Sequence, residues 1–117
     1  MRVLVCGGRN YCHYLRFAEA MDALRAEVGE FAEIIHGGAK GADHCAHRYA
    51  NDAARIPERV FTPDWQAHGL AAGPKRNQQM LDEGKPDLVV AFPGGRGTAD
   101  MVRRAKASGV RVVEIAA

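Results

Sequence analysis

The sequence predicts an α/β fold: a single Rossmann-like, doubly wound parallel sheet of about five strands with helices on both faces. Two observations lead to this prediction. Short apolar runs alternate with segments of helical periodicity five times, and glycines follow three of those runs. Such alternation builds a parallel sheet, because right-handed crossovers leave few other topologies. A chain of 117 residues can bury its own core, so we expect one domain over residues 1–117.

The first half of the chain supplies two strand–helix units. A Val-rich run at residues 2–6 ends at a glycine pair and predicts the first strand. Apolar residues spaced by three and four predict a helix over residues 12–28. A second strand is predicted at residues 31–36, FAEIIH, and a second helix from about residue 42 to 54, with alanines along one small face.

The second half of the chain continues the alternation. Residues 58–61 predict a short third strand. A helix over residues 74–83 is expected to begin with proline at its first position. The run DLVVAF at residues 87–92 is the most hydrophobic strand, and a helix over residues 98–107 leads to the last strand at residues 110–115.

Composition and charge limit the classes of function. The formal net charge of +2 is too small for non-specific adhesion to nucleic acid or to an anionic membrane. No apolar run approaches the roughly 20 residues that cross a bilayer, and the first one is too short for a signal-peptide core. Three cysteines favour reduced thiols over a disulfide framework. We therefore expect a cytoplasmic protein with no membrane partner and no nucleic-acid partner.

Three glycine-rich turns follow predicted strands: GGRN at residues 7–10, GGAKGAD at 37–43 and PGGRGT at 93–98. In a doubly wound sheet these turns meet at the carboxyl edge of the strands, where ligands bind. Glycines admit a ligand close to the backbone, and the following helix N-termini suit a phosphate. One such turn is more often purely structural, but three together predict an anion site. None has Walker spacing or the full dinucleotide fingerprint, which disfavours an NTPase or a standard dehydrogenase.

These motifs resemble those of a known family. Residues 93–98 resemble the PGGxGT signature of the SLOG superfamily, which includes the Lonely Guy phosphoribohydrolases and the DprA single-strand DNA-binding proteins. Residues 37–43, the pair Asp64-Trp65 and residues 72–77 with Met80 resemble more narrowly the YspA group, related to YpsA. The resemblance spans nearly the whole chain. It implies a Rossmann-like fold, a nucleotide-derived ligand and a homodimer.

The resemblance favours binding over catalysis. In the phosphoribohydrolases a glutamate that serves N-glycosidic bond cleavage follows PGGxGT after two residues, and here that position is Met101. Asp43 or Asp100 would have to act as the acid instead, which keeps a phosphoribohydrolase as the alternative function. The arginine of the family's RxxxM pattern has a match in Arg76 with Met80. The resemblance places Arg76 over the phosphate of the ligand.

Several side chains allow both a structural and a functional interpretation. Asp43 is interpreted first as a helix cap and second as a ribose-binding or catalytic residue. Trp65 is interpreted as core packing rather than base stacking, and Arg9 as a phosphate ligand rather than a solvated turn residue. The histidines between residues 36 and 47 lack a third partner, so we predict no metal and no cofactor. The expected ligand-binding residues are Gly8, Arg9, Gly37, Gly38, Asp43, Arg76, Asn77, Gly94, Gly95, Gly97 and Thr98.

Overall fold

A computed structural model describes residues 1–116. Five strands form one sheet in the order β3-β2-β1-β4-β5, and every neighbouring pair is parallel. The elements are β1 Arg2–Cys6, α1 Tyr14–Val28, β2 Glu33–His36, α2 Ala42–Arg48, β3 Glu58–Val60, α3 Trp65–His68, α4 Ala72–Gly84, β4 Leu88–Ala91, α5 Arg96–Ala107 and β5 Arg111–Glu114. A π-helical turn, Tyr49–Ala53, extends α2, and a 3-10 turn, Gly69–Ala71, joins α3 to α4.

Helices cover both faces of this sheet. Val3 and Val5 point to one face, where they pack in a buried cluster with residues of α1 and α2. Leu4 and Cys6 point to the other face and pack with residues of α4 and α5. Burial on both faces explains why the central strands are continuous apolar runs rather than alternating ones. The predicted fold class is confirmed.

The helices differ from the predicted ones mainly at their ends. Helix α4 begins at Ala72, so Pro74 is its third residue rather than its first. The N–H groups of a first helical turn have no intrahelical acceptor, so proline loses no hydrogen bond there. Ala53 is exposed although it was expected on the buried alanine face, because the wider π-helical turn shifts its phase. Among the described residues, no helix has both the length and the apolarity that a bilayer crossing requires.

The order of the strands creates a crevice at the carboxyl end of the sheet. From β1 the chain moves outward to β2 and β3, then crosses back and adds β4 and β5 on the other side of β1. The loops that leave β1 and β4 therefore turn to opposite faces of the sheet. This reversal between neighbouring strands is where open α/β sheets bind ligands.

Candidate ligand-binding site

Backbone hydrogen bonds join the three glycine-rich loops at this crevice. The N–H of Gly8 donates to the carbonyl of Pro93 at 2.9 Å, and the carbonyl of Gly8 accepts from the N–H of Ala42 at 3.1 Å. Gly41 has a φ of +76°, and a Cβ added there would lie 2.6 Å from the carbonyl carbon of Arg9. Only glycine permits both that conformation and that approach. The loops converge as the sequence predicts.

A cavity of about 920 Å³, the central cavity, opens between these loops and helices α4 and α5. The predicted ligand residues that line it are Gly8, Arg9, Asp43, Arg76, Asn77, Gly95, Gly97 and Thr98. Gly37, Gly38 and Gly94 are outside this lining. A Cβ on Gly37 would lie 3.1 Å from the carboxylate of Asp43, and one on Gly38 would lie 2.9 Å from Val60. The absence of a side chain at these glycines lets the segments beside the cavity pack closely.

The glycines of the PGGRGT loop fall into two classes. A Cβ added to Gly94 would lie 2.6 Å from the backbone nitrogen of Gly8, so packing between the loops requires glycine at this position. A Cβ added to Gly95 or to Gly97 would meet no neighbouring atom within 4 Å. Both of these residues border the central cavity. The packing of the described residues therefore does not require glycine at positions 95 and 97.

Arg76 reaches from α4 to two loops. Its Nη1 donates to the carbonyl of Gly37 at 3.0 Å and to the carbonyl of Phe61 at 3.3 Å. Burial lowers the pKa of Arg76, the charge of Asp43 opposes that effect, and the charge of Arg9 adds to it. Arg76 thus has a structural role in addition to the predicted contact with a phosphate.

Asp43 lies in the wall of the central cavity and is only 7% exposed. Its carboxylate accepts from the N–H of Ala39 at 3.1 Å. The N-cap position of α2 is Gly41, and no side chain caps that helix, so the interpretation of Asp43 as a helix cap is wrong. Burial raises the pKa of Asp43, while the Ala39 hydrogen bond and the nearby His36 and Arg76 oppose the rise. This hydrogen bond joins two residues of the GGAKGAD loop, Ala39 and Asp43.

Asp100 borders the cavity but is already engaged. It accepts hydrogen bonds from Asn77 at 3.0 Å, from Arg104 at 2.9 Å and from Arg103 at 2.5 Å. Burial alone would raise the pKa of Asp100, but these partners outweigh burial and lower it. A carboxylate that is held ionised is a poor proton donor. The geometry therefore favours Asp43 over Asp100 as a candidate acid.

Met101 occupies the position of the glutamate in the phosphoribohydrolases, and it faces away from the cavity. It is 0% exposed and packs in the apolar cluster between the sheet and helices α4 and α5. Other members of this cluster are apolar residues such as Leu4 and Met80. No carboxylate reaches the cavity from this position of α5.

Trp65 lies at the rim of the central cavity and is 48% exposed, so its interpretation as core packing is wrong. The guanidinium carbon of Arg9 lies 5.9 Å from the centroid of its ring. Leu70, which is 96% exposed, borders the same cavity. Asp64 caps the short helix α3 by accepting from the N–H of Ala67 at 3.0 Å. An Asp directly before a Trp is a capping signal that could have predicted this helix.

A cluster of titratable side chains lies beside the GGAKGAD loop. The carboxylate of Glu58 lies 2.5 Å from Nε2 of buried His36 and 2.8 Å from Nδ1 of His47. These ligand atoms are close enough together to hold a metal ion. However, the N–H of Gly38 donates to Nδ1 of His36 at 3.0 Å, which places the ring proton on Nε2. His36 therefore donates to Glu58 in this arrangement. The sequence pattern pointed to His44 and missed Glu58.

Glu58→Gln is expected to destabilise the protein at neutral pH by about 1–3 kcal/mol and much less in acid. Burial alone would raise the pKa of Glu58, but hydrogen bonds from His36, His47 and Asn51 outweigh burial and lower it from 4.5. A carboxylate with a lowered folded-state pKa adds stability above its unfolded pKa and loses it as the pH falls through the folded value. Denaturant unfolding across pH checks this prediction. A difference between the two proteins that does not change with pH would contradict it.

Comparison with known proteins adds two findings. A family model described as the YspA, cpYpsA-related SLOG family matches residues 1–68. That part of the chain carries the first two glycine-rich loops, Asp43 and Trp65. The chain is also similar to the Gene 61 protein of Mycobacterium phage D29, with 37% identity over 120 residues that cover 96% of this chain and 94% of the phage protein. This second similarity extends over α4 and the PGGRGT loop.

Proposed function

The chain belongs to the YspA, cpYpsA-related SLOG family, and from this membership and its cavity we propose that it is a binding protein or sensor for a nucleotide or nucleotide-derived ligand. The open space beside Gly95 and Gly97 carries the proposal. Packing does not require glycine there, so a ligand that approaches the backbone explains its presence. The first turn of α5 borders the same space, and its free N–H groups and dipole suit a phosphate.

Two arginines supply positive charge to the proposed phosphate position. Arg9 and Arg76 both line the central cavity, and the charge of Arg9 contributes to the lowered pKa of Arg76. An anion near both guanidinium groups would offset this repulsion, and the N–H groups of arginine that have no protein acceptor form charge-assisted hydrogen bonds to a phosphate. Charge in the cavity therefore favours a phosphorylated ligand over a neutral nucleoside.

The remaining walls suit the other parts of a nucleotide. Trp65 and Leu70 give the cavity an apolar border, and an exposed aromatic ring is a stacking surface for a nucleobase. Asp43 is a buried acceptor in the wall, which suits a ribose hydroxyl as donor. In this arrangement the phosphate binds at α5 and the base binds at Trp65.

A phosphoribohydrolase is the second candidate, and one observation favours it. The raised pKa of Asp43 would suit a general acid. Against it, Met101 is buried, and the hydrogen bonds of Asp100 keep that carboxylate ionised. Burial also raises the pKa of Cys6 in the cavity to about 12, so it supplies no thiolate nucleophile. Chromatography after incubation with nucleoside monophosphates separates the two candidates, because only an enzyme releases free base.

Thermal unfolding with a panel of ligands tests the binding proposal. AMP at 100 times its dissociation constant should add about 2.7 kcal/mol of stability, while adenosine at the same concentration should add much less. Gly97→Ala provides the matched variant, because alanine at the second residue of α5 meets no neighbouring atom and should not destabilise the free protein. Its Cβ would enter the proposed phosphate position and weaken binding. A panel in which no phosphorylated compound raises the melting temperature would refute the proposal, as would full affinity in Gly97→Ala.

A further inference from the structure

A second cavity of about 480 Å³, the side cavity, adjoins the central one. The two cavities share Gly8, Arg9 and Gly95 in their linings. The rest of the side cavity is bordered by the loop from β1 into α1, by the third glycine-rich loop and by residues after β5, whereas the central cavity is bordered by α4 and α5. Since α1 packs on the opposite face of the sheet from α4 and α5, the two cavities lie on either side of the edge formed by the first and third glycine-rich loops.

The side cavity has the chemistry of an anion site. Its basic side chains are Arg9, Arg16 and His13, and no carboxylate is found among the described residues that line it. Neither Arg9 nor Arg16 forms an ion pair with a described residue. In the central cavity, by contrast, Asp43 and Asp100 offset part of the positive charge. An anion that enters the side cavity therefore meets positive charge, and the described lining residues add no acidic repulsion.

An aromatic wall accompanies these cations. Tyr11 packs against Phe92 with ring centroids 5.3 Å apart and meets the ring of His13 edge to face at 5.7 Å. Tyr11 and His13 both line the side cavity. A sugar or a second base can pack against such a surface. The cavity thus offers positions for an organic group as well as for a phosphate.

We propose that the two cavities together bind one extended ligand: a pyrophosphate that carries an organic group, such as a nucleoside or a sugar, at each end. One half occupies the central cavity, the pyrophosphate passes over Gly95, and the second half enters the side cavity beside Arg16. Arg9, which borders both cavities, contacts the bridge between the halves. This inference rests on the proposed function, because it assigns the first half to the proposed nucleotide position.

Calorimetric titration with AMP, ADP and ADP-ribose tests this inference. Wild-type protein should bind ADP-ribose about tenfold or more tightly than AMP, since the side cavity adds charge-assisted hydrogen bonds. Arg16 is exposed and lines the side cavity but not the central cavity. Arg16→Gln should therefore remove this advantage and leave the affinity for AMP unchanged. Arg16→Lys should restore part of the advantage, because it keeps the charge.

The outcomes separate the two proposals. If AMP binds and ADP-ribose binds no more tightly, the extended ligand is refuted while the nucleotide proposal stands. If Arg16→Gln weakens AMP and ADP-ribose equally, the assignment of the second half to the side cavity is also refuted. If none of the three compounds binds, both proposals are overturned. Gly97→Ala, in the central cavity, should weaken all three compounds.

Discussion

Arg76→Ala is expected to lower the affinity for AMP by about 1.5–3 kcal/mol, the usual cost of a lost charge-assisted hydrogen bond. The same change should also destabilise the protein. Arg76 donates to the carbonyls of Gly37 and Phe61 and lies near buried Asp43. Its removal leaves the carbonyls of Gly37 and Phe61 without this donor and takes a nearby positive charge from Asp43, at a cost of about 1–3 kcal/mol. Calorimetry and denaturant unfolding measure the two effects separately.

Two further variants sharpen this test. Arg59→Ala removes an equal charge from an exposed arginine that donates to the carbonyl of Glu83 and lies outside the central cavity, so it should leave the affinity for AMP unchanged. Arg76→Lys keeps the charge but loses the planar group that reaches two carbonyls at once. It should bind AMP better than Arg76→Ala does. Unchanged affinity in Arg76→Ala would contradict the assignment and make Arg9 the principal phosphate ligand.

Met101→Glu is expected to destabilise the protein by about 3 kcal/mol or more and to create no hydrolase activity, because burial of an unpaired charge is among the most costly substitutions. Met101 is 0% exposed and is surrounded by an apolar cluster. None of the residues in that cluster offers a carboxylate at position 101 a strong hydrogen-bond donor or a positive charge. Thermal unfolding of the variant, together with chromatography after incubation with AMP, measures both parts of the expectation.

Met101→Leu is the matched control for this substitution. It preserves volume and apolarity, so it should cost less than about 1.5 kcal/mol. A folded Met101→Glu protein that releases adenine from AMP would contradict the prediction. That result would mean that position 101 can turn into the central cavity, and it would favour the phosphoribohydrolase candidate.

The strands and their order of appearance could be predicted because burial on both faces leaves a direct mark on the sequence. All four residues of the run LVVA in β4 are apolar and buried, which is typical of a strand covered on both faces. Helix ends carry a weaker signal: Pro74 is compatible with several positions of a first turn, so it could not fix the start of α4. The cytoplasmic location and the homodimer stay predictions from the sequence.

The candidate site could be predicted where its signal is local and not where it depends on distant partners. The glycine-rich loops are continuous motifs, so their convergence followed from the topology alone. The contact between Arg76 and Gly37 joins residues 39 positions apart, and Glu58 meets His36 only because β3 pairs with β2. The exposure of Trp65 was missed because its α3 helix has only four residues, too few to bury a large side chain.

Two hydrogen bonds of Gly8, to Pro93 and from Ala42, have a consequence for how this fold can diversify. They join all three loops through main-chain atoms, so this connection between the loops does not depend on the side chains at the rim of the pocket. Rim residues such as Arg9 and Trp65 can then be exchanged without breaking this connection. Related proteins, or variant libraries built on this fold, can therefore change the ligand that they bind while the hydrogen bonds between the loops are kept.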